Sequence, residues 1–243
     1  MFNFNNKYSN FLTMLLIVLI VAILGIVGYF AYDMYNQNDK NNKAQSAIEE
    51  FNKSTQSVKK VIENKTENTV TNIAATDNEV KNPLEELNTV ASQANTVEGN
   101  TTAQEIKKTY LEDYEVLGTI NIPKTKCNYP ILNEVTKRSI EIAVAVLYPP
   151  KLEALNMPGN TVIAGHNYRN NLFFSNNKKL EIGDEIIIES TTEKVTYEIY
   201  DIFETTPNDA DYMIRDTEGK REISLSTCTD DSSGRLIILA REK

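Results

Sequence analysis

Residues 221–240 read REISLSTCTDDSSGRLIILA and contain two runs rich in Ile and Leu on either side of a polar centre. Short apolar runs bounded by turn residues are typical of strands, so the two runs predict strands at 221–228 and 235–240. The six-residue TDDSSG segment between them supplies the Asp, Ser and Gly of a connecting turn. If the strands pair as a hairpin, the Cβ atoms of Cys228 and Arg235 lie about 4.5–5.5 Å apart.

Side-chain alternation gives the first of these strands a more apolar and a more polar face. The two faces carry Ile223, Leu225 and Thr227 on one side, and Ser224, Ser226 and Cys228 on the other. We therefore expect the thiol to point away from the more apolar side, where a cysteine that only packs is not expected.

Short runs of β-branched and aromatic residues, which favour strands, begin near Tyr110 and continue to the end of the chain. Five further strands are predicted, at 115–123, 128–132, 160–165, 184–190 and 194–205. In the last of them, alternation places on one face Val195, Tyr197, Ile199 and Phe203. Several short strands separated by Pro, Gly and Asn indicate an all-β barrel or sandwich with little helix.

The uncharged stretch at residues 11–32, FLTMLLIVLIVAILGIVGYFAY, predicts a membrane-spanning helix. At about 1.5 Å per residue it reaches roughly 33 Å, enough to cross a bilayer. A cleaved signal peptide is the alternative, but its apolar region is usually about 7–15 residues long, and no A-x-A-like site follows here. Lys7 precedes the span and Lys40 and Lys43 follow it, so the positive-inside rule does not orient it. Residues 1–10 are too few to fold, so we expect the function after the span.

Residues 33–104 predict a polar, partly helical stalk and spacer. Apolar residues recur there at approximately helical spacing: Ala44, Ala47, Ile48, Phe51, Val58, Val61 and Ile62. Ser54 and Thr55 interrupt this stripe, so we expect a solvated stalk helix rather than one packed on the domain. Residues 64–104 have too few large apolar groups to offset the entropy of ordering. The folded domain is therefore predicted at 105–243.

Charge and composition narrow the classes of partner. The net charge is −9 with a pI near 4.9, and no basic stripe is present, so we expect no nucleic-acid partner. One histidine and two cysteines do not show the paired ligand spacing of structural zinc. An acidic cluster contains Asn208, Asp209, Asp211 and Asp216 without EF-hand spacing, so we expect a solvated loop and no cofactor.

Cys228, Arg235 and the only histidine, His166, make a chemically coherent set. The thiolate is the reactive form of cysteine, and a neighbouring cation favours it. Arginine stays charged and donates to an oxyanion with fixed geometry, while histidine exchanges protons near neutral pH. Spacing does not show that His166 reaches the other two, and a structural disulfide between Cys127 and Cys228 stays open.

TVIAGHN at residues 161–167, SLSTC at 224–228 and Arg235 together resemble the His, (T/S)-L-x-T-C and Arg signature of the sortases. Sortases are membrane-anchored cysteine transpeptidases of Gram-positive bacteria, and the resemblance covers residues 116–241. It implies an eight-stranded β-barrel with His166, Cys228 and Arg235 as catalytic residues. It also implies a cytoplasmic N-terminus at 1–10 and a domain that faces the cell wall. Because some sortases bind calcium near the 208–216 loop, calcium stays possible there.

The resemblance further implies a reaction and its partners. Cys228 would cleave the LPxTG-like C-terminal sorting signal of a secreted protein through a thioester, and an amine of the peptidoglycan precursor or of a pilin would resolve it. A purely hydrolytic cysteine peptidase and a non-catalytic membrane-tethered β-domain that binds wall or protein ligands are the alternatives. The subclass stays open. The motifs are somewhat class B-like, but residues 206–220 are too short for the long helix of class B, and no second span of the class C type follows Arg235.

Overall fold

The described part of the chain contains nine strands and two α-helices. This computed structural model describes the backbone of residues 6–73 and 107–243, and the side chains of residues 11–57 and 107–243. The helices are α1 (Asn6–Ile73) and α2 (Ser139–Ile142). The strands are β1 (Tyr110–Leu111), β2 (Tyr114–Ile122), β3 (Cys127–Leu132), β4 (Val144–Tyr148), β5 (Gly159–Ala164), β6 (Glu185–Ser190), β7 (Lys194–Thr205), β8 (Arg221–Cys228) and β9 (Arg235–Glu242).

Strands β2 to β9 form a closed eight-stranded barrel, and the two-residue β1 pairs on the edge of β2. The order around the barrel is β2-β3-β4-β5-β8-β9-β7-β6, and β6 pairs back onto β2. Closure requires a glycine at Gly118, because a Cβ there would overlap the Glu189 carbonyl oxygen and lie 2.6 Å from Leu155 Cδ1. The predicted all-β barrel is confirmed, and all seven predicted strands are present.

Strand β4 was not predicted from the sequence. It pairs in parallel with β3 and antiparallel with β5, so it completes the barrel between two predicted strands. Its sequence, VAVLY, is apolar throughout, and the residues 144–146 are all buried. Such a run lacks the alternation that marks a half-buried strand, and periodicity alone does not distinguish it from a short buried helix.

The barrel interior holds the main apolar core, which includes Ile223 and Leu225 of β8 as the alternation predicted. The sequence predicted that four side chains of β7 share one face. This is correct for Val195, Tyr197 and Ile199, which face the barrel interior, but wrong for Phe203. A register shift between Ile199 and Asp201 inserts a β-bulge, and a bulge exchanges the faces beyond it. Phe203 consequently packs outside the barrel, against a second cluster that we call the outer cluster: Val162, Tyr212, Ile237 and Leu239.

Helix α1 packs on the barrel, so the expected solvated stalk is wrong for residues 44–55. The buried side chains follow helical spacing: Ala44, Ala47, Ile48, Phe51 and Thr55. Phe51 is only 1% exposed and packs with Leu111, Val116 and Leu132. Gln45 Nε2 donates to the Asn128 carbonyl at 3.0 Å. The spacer predicted at 64–104 lies largely outside the described residues, and the domain boundary at 105 stays a prediction.

The first part of α1 has the length and composition of a membrane span. Among the described residues, one helix segment, starting at Phe11, is long and apolar enough, with a mean hydropathy of 3.0. None of that apolar window is buried against the rest of the protein. An exposed apolar surface of this size fits a helix whose surroundings are lipid.

Candidate active site

The ends of three neighbouring strands bring His166, Cys228 and Arg235 to one end of the barrel. The parallel β5–β8 ladder ends with Ala164 paired to Ser226, and Gly165 N still donates to Ser226 O at 3.1 Å. Continued at the same offset, this register sets His166 opposite Cys228. On the other side of β8, Cys228 is the ladder partner of Arg235.

Ladder partners present their side chains to the same face of a sheet. Arg235 therefore shares the face of Ile237 and Leu239, which is the face of the outer cluster. Cys228 lies on it as well, on the opposite side of β8 from the core residues Ile223 and Leu225. This confirms the expectation that the thiol points away from the apolar interior. Cys228 is half-buried.

The loop that carries His166 is anchored by two aromatic residues. Phe173 and Phe174 are buried in the interior cluster. Phe174 N donates to the His166 carbonyl at 3.1 Å. A Cβ on Gly165 would lie 2.7 Å from Phe174 Cδ2, so a glycine is required directly before the histidine. The backbone of His166 is thereby held between the core and β8.

The imidazole of His166 packs against the ring of Tyr168, with 4.7 Å between ring centroids. Lys40 Nζ of α1 lies 5.6 Å from the centroid of that tyrosine ring. Burial lowers the pKa of His166 below its usual value, and the charge of Lys40 lowers it further while that of Glu141 opposes the change. The imidazole is therefore neutral at neutral pH and able to accept a proton.

Sequence reasoning missed Tyr168, Lys40 and Glu141. Tyr168 lies two residues after the histidine, and this proximity was its only signal. Lys40 and Glu141 lie near the site only because α1 and α2 pack beside the His166 loop. No local sequence pattern indicates that contact.

The two cysteines are free thiols in different environments, so the disulfide alternative is wrong. Cys127 lies in β3 and is buried in the interior cluster. Burial raises the pKa of its thiol to about 12, which makes it inert at neutral pH. Cys228 is at the barrel surface beside Arg235, whose Nη1 donates to the carbonyl of Gly234 at 3.1 Å.

Asp231 makes hydrogen bonds across the turn between Cys228 and Arg235. Its carboxylate accepts from Thr229 Oγ1 at 2.6 Å and from Ser233 N at 3.0 Å. These hydrogen bonds, with one from Ser233 Oγ, lower the pKa of Asp231 to about 2. Thr229 N donates to the Gly234 carbonyl at 3.1 Å. The predicted six-residue connection is confirmed, and it closes the hairpin directly behind the candidate nucleophile.

Residues 206–220 cover the outer cluster next to β8. Tyr212 is buried and its hydroxyl bonds Ser226 Oγ at 3.1 Å, two residues before Cys228. Arg215 Nη2 lies 2.7 Å from Glu222 Oε2, and Nη1 donates to Ser224 Oγ at 2.9 Å. The loop is thus fixed to the face of the sheet that carries the three site residues.

The acidic residues of this loop make local hydrogen bonds. Asp209 accepts from the Thr205 hydroxyl and from the amide of Asp211. Within the side chains that the structure describes, no group of three or more His, Cys, Asp or Glu residues is arranged to hold a metal ion.

Comparisons with known proteins agree on one family. A family model described as Sortase domain matches residues 120–243. Sortase A of Bacillus anthracis is 28% identical over 137 residues, which cover 55% of this chain and 63% of that protein. The chain therefore spans less than two thirds of that relative's length. Sortase A of Streptococcus agalactiae serotype III (strain NEM316) is 25% identical over 132 residues, covering 52% of each.

Solved structures of sortases are also similar to the chain. The lid mutant of Sortase A from Corynebacterium diphtheriae is 28% identical, with a TM-score of 0.49, over 54% of this chain and 71% of that one. A Clostridium perfringens Sortase D5 transpeptidase is 28% identical, with a TM-score of 0.47, over 53% and 79%. Because the family model matches just over half of the residues, the chain belongs to the sortase family.

Proposed function

We propose that this protein is a cysteine transpeptidase in which Cys228 is the nucleophile, His166 the proton carrier and Arg235 the cation that stabilises developing negative charge. One observation supports this above all others. The ends of β5 and β8 bring the backbone around His166 next to Cys228, and Cys228 is the ladder partner of Arg235 in β9.

The first half of the reaction forms a thioester. His166 accepts the proton of the Cys228 thiol, and the thiolate attacks the carbonyl carbon of the scissile peptide bond. The tetrahedral intermediate collapses, the carbon–nitrogen bond breaks, and the imidazolium gives its proton to the departing amine. The N-terminal part of the substrate stays bound to Cys228 as an acyl group.

The second half transfers that acyl group. An amine attacks the thioester carbon and passes a proton to His166, the Cys228 thiolate leaves, and the imidazolium returns that proton to the thiolate. The products are a new amide bond and the free enzyme. Water in place of the amine would give hydrolysis, which is the reaction of the alternative cysteine peptidase.

Arg235 stabilises both tetrahedral intermediates and binds the substrate backbone. A guanidinium offers several N–H donors in a fixed plane, which suits a carbonyl oxygen that becomes an oxyanion. One such donor is worth about 2.7–4 kcal/mol in other acyl-transfer enzymes.

Family membership and α1 support a proposal for the substrate class and for the location. We expect secreted proteins with a C-terminal LPxTG-like sorting signal as acyl donors, and an amine of the peptidoglycan precursor or of a pilin as acceptor. Residues 11–32 would anchor the chain by a single span, with residues 1–10 in the cytoplasm. The domain at 105–243 would then face the cell wall.

The test uses the full chain in detergent micelles with an LPxTG-like peptide, with and without candidate amines. Mass spectrometry should detect an acyl-enzyme on wild type, none on Cys228→Ala, and an amide product whose mass contains the added amine. Only free acid at every amine concentration would establish the hydrolytic peptidase instead. Turnover by the Cys228→Ala variant would exclude this site altogether.

A further inference from the structure

The side chain of Asn167 ties the His166 loop to the end of the Cys228 strand. Its Nδ2 donates to the Cys228 carbonyl at 3.0 Å and to Asp230 Oδ1 at 2.9 Å, and its Oδ1 accepts from the Arg169 amide at 3.1 Å. Both acceptors of Nδ2 are oxygens, so the opposite amide orientation would set oxygen against oxygen. The side-chain N–H groups of Asn167 therefore donate to the segment that carries the Cys228 thiol.

These hydrogen bonds continue the attachment of the chain to β8 beyond the end of β5. Gly165 N donates to Ser226 O at 3.1 Å, just past the last pair of the parallel ladder. Two residues further along, the Asn167 side chain reaches the carbonyl of Cys228. The residues directly before and after His166 are therefore each bonded to β8.

We propose that Asn167 is a positioning residue that fixes the imidazole of His166 beside the Cys228 thiol. This inference rests on the proposed function, and Asn167 acts through His166 rather than on the substrate. During acylation the imidazolium must meet the departing amine. A displacement of about 1 Å in such a site costs roughly 100-fold in rate.

Two other side-chain interactions join the segment after His166 to the turn at residues 229–234, and neither involves Cys228. Arg169 Nη2 donates to Ser232 Oγ at 3.0 Å, and Lys178 Nζ lies 2.5 Å from Asp230 Oδ2. Both are exposed, so each contributes little stability. Ser232→Ala therefore removes a loop–turn bond but leaves the bond to Cys228 intact, which makes it a matched control.

The first experiment measures steady-state kinetics of the full chain in detergent micelles on a sorting-signal peptide. Asn167→Ala removes the donors, and Asn167→Asp keeps the size but cannot donate. For both variants we expect kcat to fall roughly 100-fold with KM within about threefold of wild type. Ser232→Ala should keep kcat within about threefold. Thermal unfolding of each variant reports whether the fold is retained.

A second substrate separates positioning of His166 from a structural role. In a thioester analogue of the peptide, assayed at alkaline pH, the attacking thiol ionises without a base and the leaving thiolate departs without a proton, so neither step needs the imidazole. We expect Asn167→Ala to cleave this analogue within about tenfold of the wild-type rate. Distortion of the thiol or of the substrate groove would instead leave both substrates equally poor.

Several results would overturn the inference. They are a wild-type kcat in Asn167→Ala, an equal loss on the amide and thioester substrates, or unfolding of both Asn167 variants. His166→Ala distinguishes these from failure of the proposed function. Wild-type amide turnover in His166→Ala would refute the proposed mechanism itself. An inactive His166→Ala beside a fully active Asn167→Ala would refute only the positioning role.

Discussion

Cys228 and Arg235 are direct partners in the β8–β9 ladder, at the two ends of a turn held by the carboxylate of Asp231. Their proximity is a property of one hairpin, so it does not depend on how distant parts of the chain pack. His166 differs, because its backbone comes next to Cys228 only through the parallel pairing of β5 with β8. The candidate site therefore combines one local and one long-range relationship.

Arg235→Lys should fail although it preserves the charge, because lysine lacks the planar set of N–H donors. We expect a roughly 100- to 1000-fold loss of turnover on a sorting-signal peptide, which corresponds to about 2.7–4 kcal/mol. Arg241→Lys is the control, since Arg241 lies on the same strand and packs over the ring of Tyr200 at 4.0 Å. Recovery of Arg235→Lys to wild-type rates at alkaline pH would show that Arg235 only favours the thiolate.

Alkylation of the native protein should modify Cys228 and spare Cys127. Burial raises the pKa of Cys127 to about 12, whereas Cys228 is partly exposed. Mass spectrometry of digested protein locates the label, and Cys127→Ser should retain most activity. Modification of neither thiol before reduction would indicate a disulfide, and equal labelling of both would refute the assigned burial.

The imidazole of His166 should titrate below the usual range for histidine, because burial disfavours its charged form. It is the only histidine in the chain, so a single NMR resonance reports it. Tyr168→Ala exposes the ring and should raise the pKa. Between the folded pKa and the unfolded value near 6.5, the unfolded state binds more protons, so this group makes stability rise with pH. An upward-shifted pKa in the wild type would contradict the assignment.

Phe51→Ala should destabilise the protein by about 3–5 kcal/mol, because the side chain is 1% exposed in the contact between α1 and the barrel. Asn52→Ala, on the exposed side of α1, should stay within about 0.5 kcal/mol. Urea unfolding of a chain that begins at residue 33 measures both changes.

A chain that begins at residue 105 should fold but be less stable than the chain that begins at residue 33. Equal stability of the two chains would show that α1 does not support the barrel.

Arg215→Ala should destabilise the fold by about 3 kcal/mol, because it removes the nearer of two guanidinium partners of Glu222, a carboxylate that is 7% exposed. The Tyr200 hydroxyl still donates to Glu222, at 2.8 Å, and limits the loss. Lys220→Ala is the control, since its pair with Glu218 is exposed and worth about 0–1 kcal/mol. Similar denaturation midpoints for the two variants would contradict the buried role of Arg215.

The sequence by itself determined the features that depend on near neighbours. Alternation and turn residues specified β8, β9 and their connection, and with them the pairing of Cys228 and Arg235. The uncharged stretch at 11–32 likewise predicted a helix that is long and apolar enough to cross a membrane. Each of these follows from backbone periodicity or from the conformational preferences of a few adjacent residues.

Only the tertiary structure decided the features that depend on distant partners. β4 is apolar on both faces because it is enclosed by neighbours, and the bulge in β7 moves Phe203 out of the interior. Phe51 became buried because the barrel offers an apolar surface to α1. The backbone around His166 came next to Cys228 through a ladder between strands far apart in sequence, and Asn167 extends that attachment. Local sequence does not encode such pairings, since they are stabilised only after the chain has closed the intervening loops.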